Sequence, residues 1–354
     1  HEDHPSKSGY GGGVNDHSAA ALQDEAISAL LKETGVDWQK KLVARIIEAG
    51  IGLGLDETSR LDLKISAAAL EEMRAAFQLF APFAHVPKVS IFGSARTKAD
   101  DPLSRQAEAV SKELASKGWT VVTGAGPGIM EAASRGAGPE QSLGVSIQLP
   151  FEEKPAHEIA GNDRLVSMKY FFTRKLMLVK ESRGFVCLPG GYGTMDEAFE
   201  LLTLQQTGKM VPVPIVLLDE PGGKFWRGFE RFVVEHLERD GMISAGDFDR
   251  VLITESVDDA VAEITGFWQN YDSLRWVGEQ LVLRLRATPT AAEIESLNSQ
   301  FGDLLQEGRI ELSEPLAAEI ADEDHLDLPR IILTPKRRAV GELFRLVRTV
   351  NEFA

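Results

Sequence analysis

Glu197 ends the motif whose residue types are best suited to chemistry, PGGYGTMDE at residues 189–197. An apolar run precedes the motif and an apolar-periodic segment follows it, which predicts a buried strand, a glycine turn and a helix start. Three glycines let backbone N–H groups approach an anion closely, and the helix start adds donors and a favourable dipole. A phosphate-bearing sugar over this turn would meet an anion cradle and the Glu197 carboxylate together.

A helix cap is the competing interpretation of the same residues. Thr194 and Glu197 have the T-x-x-E spacing of a capping box, in which each side chain bonds the backbone N–H of the other residue. A cap by itself does not need three neighbouring glycines. The flanking sequence therefore favours an anion site, although both interpretations remain open at this point.

Arg174 is the second candidate for chemistry. Its neighbours at residues 170–172 and 176–179 are apolar nearly all round, which predicts a mostly buried helix. A charge inside such a helix needs a partner, so we expect Arg174 to face an anionic ligand or Glu197. The competing interpretation is an arginine on a solvated helix surface.

Two further glycine turns follow predicted strands. Gly124 and Gly126 come after the apolar residues 119–123, and Gly93 and Ser94 come after residues 88–92. The spacing in GAGPG differs from the G-x-G-x-x-G fingerprint, which disfavours a nicotinamide cofactor. Three strand-to-glycine turns predict an open parallel sheet with its ligand at the carboxyl ends of the strands.

The wider pattern predicts an α/β fold, a Rossmann-like open parallel sheet with helices on both faces. Its strands are expected near residues 89–92, 120–123, 143–149, 184–188, 213–218 and 251–253. The predicted regions are a flexible tail at 1–18, a helical extension at 19–84, the α/β domain at 85–269 and a mixed C-terminal extension at 270–354. Within that extension, short strands are expected at residues 309–312 and 330–333.

Composition narrows the classes of function. The net charge of −16 argues against binding a nucleic-acid polymer or an anionic membrane surface. Cys187 is the one cysteine, so no intramolecular disulfide can form, and no segment has the pattern of a membrane span or a signal peptide. We therefore expect a cytoplasmic protein. The seven histidines show no metal-ligand spacing, so no metal site is predicted.

Four segments together resemble the LOG ("lonely guy") family of nucleoside 5′-monophosphate phosphoribohydrolases. They are Gly93-Ser94, residues 123–131 (TGAGPGIME), Arg174-Lys175 and the motif at 189–197. The resemblance implies hydrolysis of the N-glycosidic bond to free base and ribose 5-phosphate without a cofactor, and at least a homodimer. It implies Arg174 and Glu197 as catalytic residues. The substrate-binding positions it implies, with those of the glycine turns, are Gly93, Ser94, Gly124, Gly126, Lys175, Gly190, Gly191, Tyr192, Gly193, Thr194 and Thr203.

The chain departs from the plant members of that family. They have Met-His before the Arg-Lys pair, where this chain has residues 170–173 (YFFT). The expected substrate is therefore either a range of purine and pyrimidine nucleotides or a cytokinin riboside monophosphate. The alternative from another class is a non-catalytic carrier of a nucleotide or of the molybdopterin cofactor, which would need no water-activating carboxylate.

Overall fold

The computed structural model describes residues 15–149, 163–336 and 339–353. The chain divides into two compact units between Leu70 and Glu71. The predicted tail at 1–18 lies mostly outside the described residues, and the first helix begins at Asn15. The predicted domain boundaries remain predictions.

The first unit is helical in its described residues. It contains helices α1 (Asn15–Glu33) and α2 (Lys40–Leu55) and the first half of α3 (Arg60–Phe80). Ile27 and Leu31 of α1 are buried, whereas α2 buries none of its side chains.

The second unit contains a seven-stranded sheet in which every neighbouring pair is parallel. Its strands are β1 (Lys88–Phe92), β2 (Thr120–Thr123), β3 (Ser142–Ile147), β4 (Leu165–Met168), β5 (Gly184–Cys187), β6 (Ile215–Leu218) and β7 (Val251–Thr254). The order across the sheet is β4-β3-β2-β1-β5-β6-β7. All five residues of β1 are buried, as expected for the central strand of a sheet covered on both faces.

Helices cover the two faces of this sheet and enclose a hydrophobic cluster on each. They are α4 (Pro102–Ser116), α5 (Ile129–Ala137), α6 (Phe171–Glu181), α7 (Tyr192–Gln206), α8 (Phe225–Phe232) and α9 (Val257–Gly266). The predicted fold class is confirmed. The six predicted strands are present, but β4 was missed, because its four residues alternate in burial and form no continuous apolar run.

The strand order reverses direction at β1, which pairs with β2 on one side and β5 on the other. Because the strands are parallel, the turns after β1, β2 and β5 all leave the sheet at the same end, the carboxyl end of its strands. Such a switch point opens a crevice at the carboxyl ends of the strands. The three glycine turns therefore converge there.

Residues after α9 build a second, antiparallel sheet over its own hydrophobic cluster. The strands lie in the order β10-β11-β9-β8. The elements are β8 (Tyr271–Val277), β9 (Gln280–Leu285), α10 (Ala291–Phe301), β10 (Leu305–Ser313), α11 (Ala317–Ala321), β11 (Arg330–Pro335) and α12 (Val340–Asn351). The sequence predicted the strands at 309–312 and 330–333 but not β8 and β9.

Within the described ranges, no helix is both long and apolar enough to cross a bilayer. The same residues contain no cluster of three or more histidine, cysteine or acidic side chains that could hold a metal ion.

Candidate active site

A cavity of about 1070 Å³ lies at the switch point of the parallel sheet. Most residues that the sequence singled out line it together: Gly93, Ser94, Gly124, Gly126, Arg174, Gly190, Gly191, Tyr192, Gly193, Thr194 and Glu197. Lys175 and Thr203 are absent from the lining. The cavity therefore unites the two candidate catalytic side chains with the three glycine turns.

Ser94 joins the three turns through its backbone. Its N–H donates to Pro189 O at 3.2 Å, and its carbonyl accepts from the Ile129 N–H at 3.0 Å. Gly128 has a φ of 71°, and a Cβ there would lie 2.4 Å from Ser94 O. A Cβ on Gly190 would lie 2.9 Å from Ser94 N. Glycine at these positions thus permits a close approach of backbone segments that are distant in sequence.

Helix α7 begins at Tyr192, and its N-cap Gly191 forms no side-chain cap hydrogen bond. Thr194 therefore lies inside the first turn, not at the cap, and Glu197 lies one turn further on. The capping-box interpretation of Thr194 and Glu197 is wrong for this reason. The first residues of α7 line the cavity, and an anion is favoured near the N-terminus of a helix.

Glu197 is 7% exposed, and its Oε2 has no hydrogen-bond partner among the described residues. Burial removes the carboxylate from water and raises its pKa to about 7. The positive charges of Lys175 and Arg174 oppose that rise, while Glu200 and Asp196 add to it. A carboxyl group that titrates near neutrality is suited to proton transfer at physiological pH.

Arg174 packs against β3 and against the glycine turn after β2. Its Nε donates to Val145 O at 2.9 Å. A Cβ on Gly124 would lie 1.8 Å from Arg174 Nη2, so the guanidinium occupies space that only glycine leaves free. This packing fixes Arg174 in the cavity lining, as its predicted role requires.

The prediction that α6 is mostly buried was wrong for the single chain. Phe171, Phe172 and Leu176 are each about half exposed, whereas Met177 and Leu178 on the opposite face are fully buried. A helix with apolar residues on all sides can be buried within one chain, or it can expose an apolar face that another subunit covers. The sequence pattern is the same in both cases.

Lys175 is absent from the cavity lining and forms ion pairs with Asp196 at 2.6 Å and Glu200 at 2.7 Å, both on α7. Thr203 is exposed, and its hydroxyl donates to Phe199 O within the same helix. Their assignment as substrate contacts stays a prediction.

Several lining residues were not anticipated. They include Arg96, Met130, Ser146, Gln148, Ser167, Phe171 and Phe225. Ser167 belongs to β4, the strand that was missed, and Phe225 follows the predicted strand β6. The position of Phe225 beyond the carboxyl end of a parallel strand is a signal that could have identified it.

The arrangement brings together helix N-termini for an anion, a guanidinium and a carboxyl group of raised pKa. Phe171, Tyr192 and Phe225 add aromatic surface to the same cavity. The site can therefore bind a molecule with an anionic end and a flat apolar end, and can offer a carboxylate to a bond between them.

Comparison with known proteins agrees with this geometry. Residues 129–264 match a family model described as "Possible lysine decarboxylase". The cytokinin riboside 5′-monophosphate phosphoribohydrolase of Mycobacterium marinum is 32% identical over 159 residues, covering 44% of this chain and 81% of the relative. The protein of the same description from Mycobacterium tuberculosis is 29% identical over 177 residues, covering 49% and 90%.

One solved structure that is similar to part of this chain is the molybdenum cofactor binding protein of Rippkaea orientalis. It is 21% identical, covers 51% of this chain and 96% of its own length, and has a TM-score of 0.38. DNA processing protein A of Helicobacter pylori is 16% identical, with coverages of 52% and 81% and a TM-score of 0.37. Similarity at this level carries no conclusion about activity.

Proposed function

Because this chain belongs to the LOG family, we propose that it hydrolyses the N-glycosidic bond of nucleoside 5′-monophosphates, releasing free base and ribose 5-phosphate. The observation that carries the proposal is Glu197, a buried carboxyl group in a cavity built from glycine turns, one of whose oxygens has no hydrogen-bond partner within the described ranges. A site that only bound a nucleotide would not need such a group.

The proposed reaction begins with cleavage of the bond between ribose C1′ and the base nitrogen. The bonding electrons leave with the base, and positive charge develops on the ribose. The ionised Glu197 carboxylate stabilises that charge and takes a proton from the water whose oxygen bonds to C1′. The proton then passes to the departing base or to solvent.

The glycine turns and Arg174 supply the binding part of the proposal. The 5′-phosphate lies over the turn at residues 189–194, where backbone N–H groups and the α7 dipole stabilise an anion. Arg174, held by Val145 O, adds a guanidinium that can contact the phosphate or the base side of the ligand. Binding through the phosphate orients the ribose above Glu197.

The test is to incubate the purified protein with AMP, GMP, CMP, UMP and a cytokinin riboside monophosphate, and to measure free base and ribose 5-phosphate. We expect cleavage of monophosphates and no cleavage of the corresponding nucleosides. Equal rates for AMP and adenosine would contradict the role of the phosphate turns. Tight binding of AMP without turnover would favour the carrier alternative.

The proposal includes a broad choice of base. Phe171, Tyr192 and Phe225 offer aromatic surfaces, which accept any base by stacking. We expect kcat/KM values for the four common monophosphates to lie within about 100-fold of one another, because stacking alone discriminates weakly. A protein that cleaves only the cytokinin nucleotide would contradict this part.

A homodimer is also part of the proposal. Phe172, Leu176 and Phe199 on α6 and α7 are between 39% and 54% exposed, beside the cavity. Exposed apolar side chains grouped on neighbouring helices are typical of a surface that a partner covers. Light scattering at micromolar concentration should give at least twice the mass of one chain. The cytoplasmic location stays a prediction.

A further inference from the structure

Glu72 connects α3 to the helix that carries Arg174. Its Oε1 accepts from the Lys169 N–H at 2.6 Å, and its Oε2 accepts from the Tyr170 N–H at 3.4 Å and from Thr173 Oγ1 at 2.6 Å. These three donors surround the start of α6. The Glu72 carboxylate thus anchors the two residues that lead into α6 and the Thr173 side chain in its first turn, where Tyr170 forms no side-chain cap bond.

The first turn of α6 is otherwise weakly held. The backbone bond from Arg174 N to Tyr170 O is 3.4 Å long. Thr173, directly before Arg174, is fully buried, and its hydroxyl also contacts Tyr170 O at 2.9 Å. Glu72 and Thr173 together therefore define where this turn lies.

The rest of α3 fixes Glu72 in relation to α6. Ala76, Leu79 and Phe80 are buried in the same hydrophobic cluster as Met177 and Leu178 of α6. Lys180 Nζ lies 5.5 Å from the centre of the Phe77 ring. The part of α3 that follows Glu72 therefore shares its buried core with α6 and contacts the end of α6 through Phe77.

We propose that Glu72 is a positioning residue for Arg174, acting through the N-terminal turn of α6. Glu72 lies outside the segment 129–264 that matches the family model, so the device belongs to the N-terminal part of this chain. The inference rests on the proposed function, in which Arg174 contacts the nucleotide. Small displacements of a binding group are costly, since a shift near 1 Å can lower the rate by about 100-fold.

Activity provides the first test. Glu72→Ala should lower kcat/KM roughly 10- to 100-fold. Glu72→Gln should retain activity within about 5-fold, because its carbonyl accepts from Lys169 N and its amide can donate to Thr173 Oγ1. Glu71→Ala is the matched control, since Glu71 is an exposed neighbour on the same helix and the charge change is the same. Equal activity of Glu72→Ala and Glu71→Ala would overturn the inference.

A double-mutant cycle separates positioning from mere stabilisation. AMP affinity is measured in a Glu197→Gln background, which prevents turnover, with Glu72→Ala, Arg174→Ala or both. Glu72→Ala should weaken binding about 10-fold when Arg174 is present and less than about 2-fold when it is absent. The same loss in both backgrounds, or a lowered melting temperature with unchanged affinity, would overturn the inference.

Thr173→Val provides a second variant if Glu72→Ala does not fold. It removes one of the three contacts and should lower AMP affinity by about 3-fold, again only when Arg174 is present. The two proposals fail differently. If the wild-type protein binds AMP but cleaves no nucleotide, the proposed function fails and the affinity cycle still applies. If it cleaves AMP and Glu72→Ala cleaves it equally well, only the positioning role fails.

Discussion

The buried glutamates Glu197 and Glu319 differ in what surrounds their carboxylates. Glu319, in α11, is fully buried, and its Oε1 accepts from Arg284 at 2.8 Å and Arg330 at 2.5 Å. Its Oε2 accepts from the Leu316 N–H at 3.0 Å. Glu197 is nearly as buried, yet its Oε2 has no hydrogen-bond partner in the described part of the chain.

The two pKa values move in opposite directions from similar burial. Burial alone would raise the pKa of Glu319, but hydrogen bonds from Leu316 and Arg284 and the charges of Arg330 and Arg284 hold it below its ordinary value. Burial dominates at Glu197 and raises its pKa to about 7. Burial by itself therefore does not mark a catalytic group. A carboxyl group that is buried, incompletely hydrogen-bonded and part of a cavity lining is a candidate for that role.

The largest expected effect comes from replacing each glutamate by glutamine. Glu197→Gln should lower kcat by at least about 1,000-fold, because the amide cannot accept a proton from water. Glu319→Gln should leave the folded protein active but lower the free energy of unfolding by about 3 kcal/mol, since buried Arg330 loses its ion-pair partner and buried Arg284 keeps only Asp324. Nucleotide turnover and urea unfolding measure the two effects. A fully active Glu197→Gln protein would contradict the catalytic role proposed for Glu197.

A comparison of two glycines probes the position of Arg174 in the cavity lining. Gly124→Ala should lower kcat/KM by about 100-fold, because the new Cβ would lie 1.8 Å from Arg174 Nη2 and displace the guanidinium. Gly126→Ala is the matched control. Its Cβ meets only the flexible end of Met130, at 2.6 Å, so it should cost less than about 10-fold. Equal losses would indicate that backbone strain, not the position of Arg174, controls activity.

The pH dependence of stability should have opposite signs at the two sites. The folded-state pKa of Glu197 is about 7 against an ordinary 4.5, so the folded protein holds a proton that the unfolded chain releases between these values. This contribution to stability is complete below pH 4.5 and is lost as the pH rises to 7, a change of at most roughly 3 kcal/mol. Wild-type protein should therefore lose stability relative to Glu197→Gln on going from about pH 5 to about pH 8.

Glu319 has a lowered pKa, so its contribution is present above its ordinary value of 4.5 and is lost as the pH falls through the folded-state value. The destabilisation by Glu319→Gln should shrink in acid. Urea unfolding across this pH range measures both differences. If the stability differences caused by Glu197→Gln and Glu319→Gln changed with pH in the same direction, the surroundings assigned to the two carboxyl groups would be contradicted.

The smallest expected effect is a shift in the pH–rate profile. If ionised Glu197 is the active form, log kcat/KM rises with pH and levels off near the pKa of about 7. Lys175→Met removes a cation that lowers this pKa, so the midpoint should move up by less than about one unit. Lys180→Met on the same helix is the control, because Lys180 is absent from the charges that act on Glu197. A midpoint that moves down would contradict the electrostatic account.

The sequence predicted the parallel sheet because its strands are apolar runs that end in glycine turns. It also predicted that Arg174 faces an anionic ligand or Glu197, since a charge among apolar neighbours needs a partner, and both side chains line the same cavity. It did not reveal β4 or β8, whose alternating or partly exposed residues lack a strong periodic signal. The sequence could not show that Oε2 of Glu197 lacks a hydrogen-bond partner among the described residues, because this depends on how distant segments pack together and not on the spacing of residues along the chain.

The backbone bonds of Ser94 have a consequence for folding kinetics. They join segments that begin far apart along the chain, at Pro189 and Ile129, so large loops must close before the crevice exists. Helices form from neighbouring residues and need no such closure. Recovery of ligand binding after dilution from denaturant should therefore lag behind recovery of helical circular dichroism, and a partly folded chain would contain its helices without a usable site.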